Sequence, residues 1–238
     1  MAQLSVNINK IATLRNARGG NMPDVVQAAR DIESFGAQGI TVHPRPDERH
    51  ITYQDVRNLS KVVSTEFNIE GNPNPKFIDL VLEVKPDQVT LVPDAIDAIT
   101  SNAGWDTLRH KDYLKEIIHL FTSNNIRTSI FVDPVVDMVS HAKDTGTDRI
   151  ELYTEDYAKN YVKHKNLAIE NYVLASKEAN RLGIGINAGH DLSLENIEFF
   201  SQSIPALKEV SIGHALICES LYLGLEKVVK SYLSKLSS

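Results

Sequence analysis

One cysteine, Cys218, is all the chain contains, so no intramolecular disulfide can staple it. At 238 residues it buries enough surface on folding to need none. It has no apolar run near the roughly 18 residues that span a bilayer. It also lacks the basic start and unbroken apolar stretch of a secretory leader. A cytoplasmic protein with no membrane contact is the expectation. No Gly/Ser/Pro-rich linker, charge block or low-complexity tract divides the sequence, so residues 1–238 read as a single domain. The dinucleotide fingerprint GxGxxG, the P-loop and the metalloprotease HExxH are missing. Thirty-one acidic against 25 basic side chains leave a net charge of −6, which disfavours a nucleic-acid partner but permits a local anion site.

What the chain does have is a recurring short β-branched run. Eight occur, at residues 5–8, 39–42, 67–69, 88–91, 128–132, 149–152, 183–186 and 209–212. Between most of them lies enough chain for a crossover helix, and some stretches show amphipathic spacing, as in Val25, Val26, Ala29 and Ile32. Leu221, Leu225, Val228, Val229 and Tyr232 form a similar stripe, and Cys218, within an apolar helical pattern, reads as a core residue. The segment 155–182 exceeds one crossover and predicts an extra helix. Strand then helix, repeated, is the sequence form of a parallel α/β sheet. An open doubly wound sheet predicts the same alternation, but it gathers its chemistry at one switch point. Here polar residues end or follow many different strands: Asn7 and Asn9, His43 and Arg45, Glu70, Asp133, Glu151, Asn187 with His190, and Gly213 with His214. They converge only if the sheet closes, so the prediction is a (β/α)₈ TIM barrel with extra helices.

The densest chemistry is the string HPRPDERH at residues 43–50. Its prolines restrict the loop, a guanidinium fork such as that of Arg45 suits phosphate, and a histidine such as His43 moves protons. The alternative is a structural loop whose charges pair internally. Glycine and histidine stand together in Asn187-Ala188-Gly189-His190 and in Gly213-His214, after the seventh and eighth strands, where barrels bind phosphate. Glu70, entering the mouth, would have its carboxyl pKa raised by desolvation towards that of a useful base. Lys10 is either plain charge or, as in barrel aldolases, an imine-forming lysine. The basic stretch 10–18 carries Lys10, Arg15 and Arg18 with no acid among them. No ligand cluster suits a metal ion, and none is expected.

Taken together, IATLRNARG (residues 11–19), HPRPDERHI (residues 43–51), Val6-Asn7-Ile8-Asn9, Asn187-Ala188-Gly189-His190 and Ile212-Gly213-His214-Ala215 resemble the pyridoxine 5′-phosphate synthase family. That resemblance implies a TIM barrel assembled as a homo-octamer. It implies condensation of 1-deoxy-D-xylulose 5-phosphate with 3-amino-2-oxopropyl phosphate, with release of inorganic phosphate and water and no cofactor. It makes His43 and Glu70 the proton acceptors and His190 the proton donor. Asn7 and Arg18 would contact the aminoketone phosphate. Arg45, His50 and Thr100 would hold the deoxyxylulose phosphate. His190, Asp191, Gly213 and His214 would line the remaining surface, and Glu151 would meet the ring-forming atoms. Asn9 and Lys10, counted with the substrate-binding set, stand where many members carry Asp-His. The competing readings are another phosphosugar barrel enzyme, such as a Lys10 aldolase, and a non-catalytic phosphate-binding paralogue.

Overall fold

Alternation along each strand sends its side chains to two destinations. In β1 (Gln3–Asn7), Leu4 and Val6 are fully buried in the apolar core, while Ser5 Oγ lies 2.7 Å from Thr41 Oγ1 on β2 (Gly39–Val42). The same division runs through β3 (Glu66–Gly71), β4 (Gln88–Leu91), β5 (Arg127–Val132), β6 (Arg149–Tyr153), β7 (Gly185–Gly189) and β8 (Leu207–Ile212). In this computed structural model, which describes residues 1–93 and 103–237, all eight strands are parallel. They close in sequence order, β1 pairing with both β2 and β8.

The helices are α1 (Asn9–Asn16), α2 (Val25–Ser34), α3 (Tyr53–Leu59), α4 (Pro75–Val84), α5 (Lys111–Thr122), α6 (Val136–Thr145), α7 (Glu155–Leu182), α8 (Ile197–Ser203), α9 (His214–Leu223) and α10 (Leu225–Leu236). Each starts for a local reason where a cap is present. Asp24 accepts from the Val26 and Gln27 amides, Asn74 accepts from Phe77 N ahead of Pro75 at the first helical position, and Thr52 forms a capping box with Asp55. The predicted extra helix is present, because α7 breaks at His164 (φ −151°, ψ 76°) into two helical stretches. Among the described residues no helix is long and apolar enough to cross a membrane.

Three sequence expectations are corrected. The seventh strand begins at Gly185, not Gly183, because Gly183 takes φ +72° to cap α7. The stripe from Leu221 to Tyr232 is cut by Gly224 (φ +87°), so Leu221 is 69% exposed while Val228, Val229 and Tyr232 are buried. Cys218 is half-buried beside His214, its Sγ 3.6 Å from His214 Nε2, and so does not belong to the core.

Polar residues fill the barrel lumen, while apolar ones fill the shell between strands and helices. Midway up, Asn68 bridges Thr41 and Thr90 at 3.4 and 3.1 Å. At the N-terminal floor, Arg149 Nη1 reaches Glu209 Oε2 at 3.0 Å and Asn187 Oδ1 at 3.1 Å, and Asn187 Nδ2 donates to the same Glu209 oxygen at 3.2 Å. Arg127 pairs with Glu66 and donates to Gln88 Oε1 at 2.9 Å.

Candidate active site

At the opposite, C-terminal end the lumen opens into a cavity of ≈ 620 Å³, large enough for a pair of small phosphorylated molecules. Twelve of the fourteen residues singled out from the sequence line it: Asn7, Asn9, Lys10, His43, Arg45, His50, Glu70, Glu151, His190, Asp191, Gly213 and His214. Arg18 does not. It is exposed in the loop after α1, just before Gly19 and Gly20 (φ +77° and +81°). Thr100 lies outside the described residues.

The first two turns of chain build one wall. Asn7 Oδ1 accepts from Asn9 N at 3.0 Å, and Asn9 Oδ1 accepts from His43 N at 2.9 Å, so Asn9 fixes the start of the loop after β2. Asn7 Nδ2 donates to Glu70 Oε2 at 3.2 Å, and Ser211 Oγ donates to Glu70 Oε1 at 3.5 Å. Donors on both oxygens orient the carboxylate. Lys10, in the first turn of α1, is exposed, unlike the desolvated lysine that forms imines.

The imidazoles differ from one another. Burial first, then Arg45, His50, His190 and Arg49, push His43 down to about 3, so its imidazole is neutral at any working pH. A proton acceptor is what the sequence predicts here, and enclosure beside guanidiniums makes it a weak one. His50, 6.3 Å from His43 between ring centroids, is pushed down to about 4 by burial and by Arg45, Lys10 and Arg49. His50 Nδ1 accepts from Ile51 N at 2.9 Å, which puts the proton of the neutral ring on Nε2. His190 holds φ +85°, and its Nδ1 lies 2.6 Å from Asp191 Oδ2, an arrangement that orients the ring and supports a proton on Nδ1. Tyr153 meets the His190 ring edge-on at 5.4 Å.

Glu151 is 3% exposed, and Oε2 has no hydrogen-bond partner among the described residues. Burial, followed by the charges of Glu70 and Glu209, raises it well above the ordinary carboxylate range and so favours its protonated form. Two glycines make room here. A Cβ on Gly189 would stand 2.6 Å from Ser211 O and 2.8 Å from Glu151 Oε1, and one on Gly213, at the N-terminus of α9, would stand 3.1 Å from Asn7 Cβ. The positive end of the α9 dipole is thereby brought to the cavity.

Thr13, Arg49 and Ala215, which lie inside the sequence strings but were given no role, also line the cavity, as do Val92, Phe131 and Ser211, which sequence reasoning missed. Ser211 was findable, since it alternates with Val210 and Ile212 along β8 and follows Glu209 on the lumen face. Val92 and Phe131, with Tyr153, form a small apolar cluster that carries no sequence signature of a site. No group of three or more His, Cys, Asp and Glu side chains among the described residues is placed to hold a metal ion.

A family profile described as "Pyridoxal phosphate biosynthesis protein PdxJ" matches residues 4–238. The chain is 68% identical over 236 residues to pyridoxine 5′-phosphate synthase of Flavobacterium johnsoniae, covering 99% of this chain and 100% of that protein. It is 65% identical to the enzyme of the same name from Christiangramia forsetii, again over 99% of this chain and 100% of that protein. Among solved structures it is similar to phosphoribosylanthranilate isomerase of Thermotoga maritima (TM-score 0.63, 13% identity, 100% of this chain and 99% of that one). It is also similar to 3-keto-L-gulonate-6-phosphate decarboxylase of Vibrio cholerae (TM-score 0.67, 10% identity, 99% and 97%). At such identities these two speak for the barrel alone.

Proposed function

The chain belongs to the PdxJ family of pyridoxal phosphate biosynthesis proteins and is a pyridoxine 5′-phosphate synthase; from that premise we propose how its mouth residues divide the work. The substrates are 1-deoxy-D-xylulose 5-phosphate and 3-amino-2-oxopropyl phosphate. Joining them into pyridoxine 5′-phosphate forms one C–N and one C–C bond and releases one inorganic phosphate and two molecules of water. Such steps need acids and bases in a shielded pocket and anchors for two phosphates.

The observation that carries this reading is the crowding of oppositely tuned proton carriers around one cavity. Glu70, held by Asn7 and Ser211, takes the proton from carbon beside a carbonyl or imine. Glu151, whose protonated form burial and neighbouring carboxylates favour, and His190, backed by Asp191, give protons to departing oxygen. Arg45 and His50 hold the deoxyxylulose phosphate, with Thr100 assigned there by resemblance. Asn7, Gly213 and His214 at the start of α9 hold the aminoketone phosphate, which Arg18 would have to approach from its exposed loop. A phosphate dianion on Arg45 offsets the charge that depresses His43, so substrate binding makes His43 a better proton acceptor. Asn9 and Lys10 complete the surface. No cofactor enters these steps. Residues 1–238 act as one unit in the cytoplasm, as a homo-octamer by resemblance to the family.

Incubating the pure protein with both ketones tests the activity. The expected result is growth of pyridine-ring ultraviolet absorption with one equivalent of inorganic phosphate released per ring. Phosphate release without a ring, or neither signal, overturns the reading.

A further inference from the structure

The second half of α1 belongs to the sequence string that the proton-transfer chemistry leaves unused. Arg15 is 8% exposed and forks onto Asp55, Nη1 to Oδ1 at 2.6 Å and Nη2 to Oδ2 at 2.8 Å. The same Nη2 donates to the backbone oxygen of His50 at 3.2 Å, and Nε donates to Asn16 Oδ1 at 3.0 Å. With its oxygen so occupied, the Asn16 amide turns its Nδ2 towards the loop after β2. There it donates to His50 O at 2.8 Å and to Arg49 O at 3.2 Å. Asp55 completes the circuit, for its Oδ2 also accepts from Thr52 N at 2.8 Å, and the Thr52 hydroxyl accepts from Asp55 N at 3.0 Å. Both lone pairs of the His50 carbonyl are thus used by α1, and the amide of Thr52 is used by α3. Between them, Ile51 N fixes the imidazole of His50 through Nδ1.

We propose that Arg15 and Asn16 are positioning residues: with Asp55 they clamp the backbone of residues 49–52 so that the Nε2–H of His50 stands in the cavity as a preset donor to an anionic substrate. The proposal rests on the reading that His50 holds the deoxyxylulose phosphate. A bidentate guanidinium–carboxylate pair gives the clamp a rigid base, and Asn16 transmits it to two carbonyls. Burial works to raise the Asp55 carboxyl, but the Arg15 fork and the Thr52 amide and hydroxyl hold it below the usual carboxylate range, so the pair stays charged at neutral pH. His50 needs no charge of its own for this task. As a neutral donor in a fixed direction it adds a hydrogen bond beside Arg45 without loss of loop entropy on binding.

Asn16 is exposed, so its variants should fold, which separates positioning from stability. Steady-state constants for both ketones, with thermal midpoints, are measured on Asn16→Ala, Asn16→Asp, Arg15→Lys and His50→Gln. In Asn16→Ala the KM for the deoxyxylulose phosphate should rise roughly 3- to 10-fold, as for loss of a hydrogen bond, with kcat nearly unchanged. The KM for the aminoketone should stay at the parent value. Asn16→Asp, isosteric but unable to donate, should do at least as badly. Arg15→Lys, which keeps the charge and loses the fork, should shift the same constant and also lower the midpoint. His50→Gln should show the same pattern. Parent-like constants in both Asn16 variants, or equal rises for both substrates, overturn the clamp. If His50→Gln leaves deoxyxylulose phosphate binding intact, the assignment of His50 falls, and the proposal with it. If His50→Gln weakens that substrate and the Asn16 variants do not, only the clamp falls.

Discussion

At the floor of the lumen Glu209 is met by Arg149 and Asn187; at the mouth, two residues further along β6 from Arg149, Glu151 is enclosed with other carboxylates. Both are buried acids on lumen faces of the same sheet, and burial raises both above the usual carboxylate range. At the floor the influence of Glu66 adds to that rise, while Arg149 and Arg127 oppose it. At the mouth the groups acting on Glu151 after burial are Glu70 and Glu209, and both add to the rise. The floor acid, pushed up to about 8, favours its protonated form as well, but Arg149 and Asn187 tie it to neighbouring strands, whereas Glu151 lines the cavity with Oε2 free of hydrogen bonds among the described residues and so can pass a proton on. Stability and catalysis are thus separated along the barrel axis by a few ångströms of strand.

The sharpest way to break this division is Glu70→Gln, which keeps shape and hydrogen bonding but removes the base. Turnover should fall by roughly 10² to 10⁴ while binding and the unfolding midpoint stay close to the parent values. A normal turnover, or a large loss of stability, would place Glu70 with the floor. Next in size, Arg149→Met should cost about 1–3 kcal/mol in denaturant unfolding, because it leaves the buried oxygens of Glu209 and Asn187 without their guanidinium donor. Per folded molecule its activity should match the parent. An unchanged midpoint with lost turnover would reverse the assignment of floor and mouth.

The smallest effect, and the one that sharpens the comparison most, is expected for Glu151→Gln. A carboxyl whose folded pKa lies above its ordinary value of 4.5 binds its proton more tightly in the native state. Stability from that group is therefore full below its unfolded pKa and is lost as pH rises towards the folded value. Glutamine cannot ionise and escapes that loss. Scanning calorimetry should find parent and variant alike near pH 4, with the variant more stable by pH 8, each kcal/mol being worth about 2–4 °C for a chain of this size. Its turnover should fall. A variant less stable at pH 8 than at pH 4, relative to the parent, would show that Glu151 is ionised and compensated in the folded protein.

Much of this arrangement was legible in the residues, and the parts that were not share a cause. β-branched runs reveal strands because the apolar shell demands them, and strand-end His43, Glu70 and His190 stood out because polar residues rarely follow buried runs by chance. The floor was hidden inside the runs. Arg149 and Glu209 sit within segments that read as strands, and only their alternation with Ile150 and Val210 reports a second, polar interior. The low basicity of His43 was not legible, since it depends on how completely the fold buries the ring and then on Arg45 and the other cationic neighbours around it. The clamp was invisible for a different reason. Arg15 and Asp55 lie 40 positions apart, and no local pattern announces a partner at that distance. Gly183 misled because a glycine beside β-branched residues fits a strand edge as well as a helix cap.

The eight-residue helix α1 carries Asn9 and Lys10 at one end and Arg15 and Asn16 at the other, a rod of about 12 Å by the rise of an α-helix. Its first residue fixes His43 N, and its last two grip the loop that bears His50. Both anchors of the loop after β2 are therefore mounted on one rigid body, whose other neighbour is the Asn7 wall assigned to the aminoketone. Thermodynamic linkage makes any coupling through such a body reciprocal: whatever factor one ketone adds to the affinity for the other is returned unchanged. A kinetic order of binding, if one ketone must arrive first, then reflects access to the mouth and not a one-way signal through the helix.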